Sequence, residues 1–163
     1  MTGEMWEDGR FKVAHEHLAS AVIRSLLGSM FLAGSPDSSA PLLLSTTPQG
    51  QLHEFGAFMA LVTAASIGWK TLYLGPNLPA EDIVAAAKER GANGIALSIV
   101  YPADDPYLST ELRKIQNLTK GKIPLIIGGR SAASYGKIIK EINAILISDL
   151  TDLKNRLKTI GNG

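Results

Sequence analysis

From Pro41 onward, short apolar runs alternate with stretches of helical periodicity. The runs fall at 42–46, 70–74, 94–98, 123–127 and 144–147, and the helical patterns at about 52–67, 79–90, 107–119, 131–141 and 150–160. In the first helical stretch Leu52, Phe55, Met59, Val62 and Ser66 recur at steps of three and four, which predicts one apolar face. The runs Gly94–Ser98 and Ile123–Ile127 are apolar almost throughout rather than alternating. That is the pattern of parallel strands covered on both faces. Strands separated by helical patterns in this way predict an α/β fold, a flavodoxin-like doubly wound five-stranded parallel sheet with right-handed crossovers. If the strand order is 2-1-3-4-5, the switch point lies between the strands ending near Thr46 and Ser98, where such sheets keep their ligands.

Before Pro41 the periodicity is helical from about Arg10 to Ala33, with Phe11, Ala14, Leu18, Ala21, Val22, Ser25 and Leu26 on one face. Asp8-Gly9 is a turn signal ahead of it, and Gly34 to Ser39 is a turn-rich linker behind it. The expected organisation is a helical segment over 1–34, part of a bundle, and a main domain over 41–163. A single helix cannot bury its apolar stripe alone, so this segment needs the main domain, a partner or the rest of a bundle.

Composition narrows the picture. A length of 163 residues suits one domain with a small appendage, and 45% apolar with 19% charged residues is ordinary for a globular protein. A net charge of +1 gives no electrostatic reason to expect direct nucleic-acid binding. Arg113, Lys114, Lys120 and Lys122 read as a solvated helix face. Without cysteine there are no disulfides and no thiolate metal sites. No apolar run is long enough to span a membrane, and Met1 to Glu4 is not the charged lead-in of a signal peptide, so a cytoplasmic protein is expected.

Candidate chemistry concentrates in residues 41–56, where an apolar run breaks into Ser45-Thr46-Thr47-Pro48-Gln49-Gly50 and a helical pattern begins beside His53. There is no Gly-x-Gly-x-x-Gly, no phosphate-binding Gly-Lys-Ser/Thr, no second histidine four residues after His53-Glu54, and no Gly-x-Ser-x-Gly elbow. Thr46, Thr47 and Gly50 offer a weak phosphate site of the flavodoxin kind, which leaves the histidine unexplained. A response-regulator-like interaction domain needs a phospho-acceptor aspartate at the end of the third strand, where Ser98 and Tyr101 stand instead.

What the loop does contain is Gln51-x-His53-x-x-Gly56. It resembles the Asp/Glu-x-His-x-x-Gly motif of cobalamin-binding domains, with glutamine for the acid. Ser98-Ile99-Val100 resembles that family's Ser-x-Leu element, and Gly128-Gly129 its paired glycines after the fourth strand. The resemblance implies that His53 ligates cobalt from below in place of the cofactor's own base, with Gln51 orienting it. Gly56, Ser98, Val100, Gly128 and Gly129 would line the slot for the nucleotide tail, and Thr46, Glu54, Phe55, Leu74, Gly75 and Tyr101 would complete the cofactor site. Trp6 followed by nine residues and then Glu16-His17 resembles the Trp-x9-Glu-His signature of CarH-type cobalamin photoreceptors, in the CarH/LitR branch of MerR-like regulators. Tyr73 to Pro79 also looks like that family's loop after the second strand.

The resemblance makes residues 1–34 a lid: Trp6 would cover the upper axial group and Glu16 and His17 would contact an adenosyl group there. It implies a cobalamin-dependent light or cofactor sensor, not an enzyme, that uses adenosyl- or methylcobalamin. Its partners would be a further subunit of a homo-oligomer or a regulator protein. Loss of the upper group would free the lid and change an interface. Glu7 stands where members that lock into a bis-histidine state carry histidine, and Gln51 offers only a neutral hydrogen bond, which implies a softer lower ligation. The alternative is a corrinoid methyl carrier of a methyltransferase system, which shares the lower motif.

Overall fold

Each apolar run of the main domain becomes a strand. The computed structural model describes Leu18, Ala21, Val22, Arg24 and Ser25, all helical, together with residues 37–161. The main domain runs β1 (Leu42–Thr46), α1 (Phe55–Ala65), β2 (Lys70–Tyr73), α2 (Ala80–Arg90), β3 (Gly94–Ser98), α3 (Pro106–Thr119) and β4 (Leu125–Gly128). It continues through a 3-10 turn (Ala132–Tyr135) into α4 (Gly136–Glu141), β5 (Ile145–Leu146) and α5 (Leu150–Gly161). All pairings are parallel and the order is β2-β1-β3-β4-β5, so the switch point lies between β1 and β3 as expected.

Local chemistry sets the ends of these elements. Proline at the first turn and the Asp105 carboxylate, which accepts from the Tyr107 N–H at 2.9 Å, start α3. Gly91, left-handed at φ 65°, closes α2. Pro124 has no N–H to give a ladder, and β4 begins after it, two residues into the apolar run. The pattern over 131–141 splits between the 3-10 turn and a short helix.

The first helix departs most from its reading. It starts at Phe55, leaving 47–54 as loop, and the face buried is Ala57, Phe58, Ala60, Leu61 and Ala64. The stripe expected to face the core does not: Leu52 and Phe55 are 69% and 56% exposed. This helix is apolar on nearly every side, so spacing of the large residues does not mark its core face. Its alanines do, because they let the helix backbone approach the sheet closely.

Apolar side chains fill both faces of the sheet. On one, Leu44, Ile95, Leu97, Ile99, Leu125 and Ile127 pack against α2, α3 and α4. On the other, Leu43, Ala96 and Ile126 pack with Ala60 and Ala64 of α1, Leu153 and Leu157 of α5, and Trp69. The chain divides into units of residues 1–35 and 36–163. In the first, Leu18 and Val22 are exposed. Among the described residues no helix is long and apolar enough to cross a membrane.

Candidate functional site

The loop after β1 is strapped on both sides. Thr46 donates its hydroxyl to the Gly75 carbonyl at 2.6 Å, Asn77 donates its N–H to the Thr47 hydroxyl at 2.8 Å, and Gly50 donates its N–H to the Asn77 side-chain oxygen at 2.8 Å. The Thr47 hydroxyl in turn donates to the Gln51 carbonyl. Gly50 sits at φ 89°, a left-handed conformation that suits glycine. Toward β3, the Gln51 side-chain oxygen accepts from the N–H groups of Val100 at 2.9 Å and Tyr101 at 3.2 Å. The strapped loop leaves His53 exposed at the carboxyl edge of the sheet, between β1 and the start of α1. Glu54 is the N-cap residue of α1 and its carboxylate accepts from the Tyr73 hydroxyl; the Tyr73 ring lies 4.4 Å from that of Phe58.

Beside this loop a cavity of about 220 Å³ opens between α1 and α5. Its floor exists because side chains shrink along this face of the sheet toward the carboxyl edge. Leu43 gives way to Ser45 on β1 and Ile126 to Gly128 on β4, while β3 presents only Ala96 and Ser98. The Ser98 hydroxyl lines the cavity, is buried, and has no hydrogen-bond partner. Gly56 makes room for it, since a Cβ there would stand 2.3 Å from the Ser98 oxygen. Unpaired buried hydroxyls are costly, and one beside a cavity is a site for a polar atom of a ligand. A dry cavity of about 150 Å³ accommodates benzene, so this one has room for a two-ring aromatic base.

The structure brings Gly56, Ser98, Gly128 and Gly129 together on this cavity. The glycines owe their identity to the protein itself as well. A Cβ on Gly128 would meet the Ile147 side chain at 2.8 Å, and one on Gly129, at φ 107°, would meet the Ile99 carbonyl oxygen at 2.4 Å. Other expected residues are placed elsewhere. Thr46 and Gly75 join two loops, Leu74 packs against the core under α2, and Val100 takes part through its peptide groups. Phe55 and Tyr101 are exposed, the latter at 70%. Gln51 does not orient His53 here: its oxygen is taken by the β3 loop, and its buried nitrogen has no partner. Trp6, Glu16 and His17 lie outside the described residues.

Sequence reading missed the cavity's far wall, Ile147 to Leu150 and Leu153 at the start of α5, together with Met59 and Ala60 on α1. That wall is apolar except for Ser148 and Asp149, and only the fold assembles it. Asp149 at its mouth has its carboxyl held below the usual range, chiefly by the Asp152 N–H, from which it accepts as it caps the first turn of α5. The loop leading from β3 into α3 is fixed by Tyr135, whose hydroxyl accepts from the Asp105 N–H at 2.8 Å and donates to the Pro102 carbonyl at 3.0 Å. Burial is the main cause pushing that phenol above its ordinary pKa. Among the described residues no three His, Asp or Glu side chains gather as a metal site.

No protein-family profile matches the chain. The chain is 30% identical over 135 residues to the HTH-type transcriptional repressor CarA of Myxococcus xanthus, and 27% identical over 140 residues to the repressor CarH of the same organism. These alignments cover 83% and 86% of this chain, which spans 46% of the length of each repressor. Among solved structures, a cobalamin-binding protein from Desulfitobacterium hafniense superposes with a TM-score of 0.63 at 18% identity, covering 98% of this chain and 76% of the other. That likeness supports the fold.

Proposed function

We propose that this chain binds a cobalamin and acts as a light- or cofactor-responsive sensor domain. The observation that carries the reading is the unpaired, buried Ser98 hydroxyl on a mostly apolar cavity beside the loop that exposes His53. The donor set fits this cofactor. A lone imidazole is a poor site for a free ion, but it suffices for a metal that arrives already held in a macrocycle. His53 would ligate the cobalt from below, and the cavity between α1 and α5 would take the base of the nucleotide tail, with Ser98 hydrogen-bonding to it. Gly56 and Gly129 keep that cavity's walls close. A bound alkylcobalamin would supply a coloured cobalt–carbon bond that light breaks. The similarity to CarA and CarH supports a regulatory role over enzymatic catalysis by this chain, with output through a second subunit or a regulator protein. On the sequence resemblance, Trp6, Glu16 and His17 are assigned to the upper axial group.

The test is reconstitution with adenosylcobalamin in the dark, wild type beside His53→Ala, with absorbance recorded before and after green light. A red protein with an imidazole-ligated spectrum, lost in the variant and altered by light in the wild type, is the expected result. An identical spectrum in the variant removes His53 as the ligand. A spectrum indifferent to light removes light sensing and leaves cobalamin binding. Methyl transfer from the loaded protein to a thiol, with a methyltransferase added, would make it a carrier instead.

A further inference from the structure

The side chain of Gln51 is 1% exposed and its two ends are in opposite states. The oxygen accepts two backbone N–H groups, from Val100 and Tyr101, while the nitrogen is buried without a partner. The amide cannot turn over, because that would set its NH2 group against two N–H donors. Gln51 is therefore fixed with its acceptor spent and only a donor free. A histidine that ligates a metal through one ring nitrogen carries a proton on the other, and that N–H needs an acceptor. Two donors do not pair.

Resting on the cobalamin reading above, we infer that Gln51 clamps the first loop to the β3 loop and gives His53 no hydrogen-bond support, so that His53 grips cobalt without an acceptor behind it. Glutamate in the same place would be isosteric. One oxygen would still accept from Val100 and Tyr101, and the other would stand as an acceptor where the amide nitrogen now is. Gln51 is thus the residue that sets how firmly the lower ligand holds.

The probe is cob(II)alamin, bound to wild type, Gln51→Glu, His53→Ala and the double variant. Two quantities are read: the dissociation constant by equilibrium dialysis, and the axial-nitrogen splitting in the electron paramagnetic resonance spectrum. Gln51→Glu should tighten binding about tenfold and raise the nitrogen-ligated fraction, an acceptor behind a ligating histidine being worth about 10–100-fold. In the His53→Ala background the same change should do nothing. Gln51→Met, which loses the clamp alone, should weaken binding by the same factor with and without His53. Equal effects of Gln51→Glu in both backgrounds, or a Gln51→Met loss that needs His53, overturns the inference while cobalamin binding stands. A wild type that binds no corrinoid overturns both.

Discussion

The two faces of the sheet are built to different ends. The face under α2, α3 and α4 is packed with large branched side chains, and Ile95, Ile99, Leu108, Leu112, Ile115 and Ile127 have no exposed surface at all. The face under α1 and α5 begins the same way with Leu43 and Ile126, then thins to Ser45, Ala96, Ser98 and Gly128 at the carboxyl edge. Apolar burial is worth roughly 25 cal/mol per Å², so each leucine forgone on the second face is stability forgone. What replaces it is room. One face holds the domain together, and the other leaves a cavity with an unpaired hydroxyl on its wall.

The largest expected effect tests the packed face. Ile127→Ala, at a position with 0% exposure, should cost about 2–5 kcal/mol, read as a fall in the urea midpoint at unchanged slope. A cost below about 1 kcal/mol would mean that the face can collapse around a void, contrary to its close packing. Next comes Gly129→Ala, where backbone meets backbone. Its φ of 107° and a Cβ placed 2.4 Å from the Ile99 oxygen should cost about 1–3 kcal/mol before any ligand is added. If only cobalamin affinity falls and the midpoint stays, the glycine serves the ligand and not the fold.

This contrast marks where sequence reading works. Strands β1 and β3 matched their apolar runs to the residue, because parallel strands buried on both faces need continuous apolar runs, whereas the order β2-β1-β3-β4-β5 is supplied by the structure and was only a condition in the sequence. The core face of α1 did not follow, since a helix apolar on all sides gives its periodicity no contrast. His53, Ser98 and the paired glycines were singled out by motif, and the structure gathers Ser98, Gly128 and Gly129 on one cavity. The α5 wall was not, because Ile147, Leu150 and Leu153 become a binding surface only when the last helix lies beside the first. Spacing names Gln51 but says nothing of which end of its amide is already bonded, and the structure shows the oxygen taken by the β3 loop.

Two serines on the thin face separate structure from ligand more finely. The Ser45 hydroxyl donates to the Ala57 carbonyl at 3.1 Å, whereas Ser98 donates to nothing. Ser45→Ala should lower stability by about 1 kcal/mol, the net worth of one intramolecular hydrogen bond. Ser98→Ala should raise it by up to about 1 kcal/mol, because an unpaired buried hydroxyl is removed, and should weaken cobalamin binding several-fold. Thermal unfolding of the two variants beside the wild type, without and with cobalamin, reads all of these. Loss of stability in Ser98→Ala would show that its hydroxyl is already satisfied in the free protein, and the two faces would then differ in volume alone.

The smallest expected effect concerns the outside of the packed face, where Arg113 on α3 pairs with Glu141 on α4 through two hydrogen bonds of 2.8 and 3.0 Å. The hydrogen bond from Arg113 is the first cause holding the Glu141 carboxyl below its ordinary value of 4.5. A carboxyl whose folded pKa is depressed stabilises the fold above its unfolded pKa, and that contribution is lost as pH falls through the folded value. The window is therefore acidic, below about the ordinary carboxylate pKa, and the pair contributes nothing to pH dependence near neutrality. Both side chains are half exposed, at 48% and 51%, so water and salt screen most of the attraction. Glu141→Gln should leave the urea midpoint at neutral pH unchanged, in low salt and in high. A clear fall in low salt that disappears in high salt would show that charge pairing, and not only the branched side chains beneath it, holds α3 and α4 on this face.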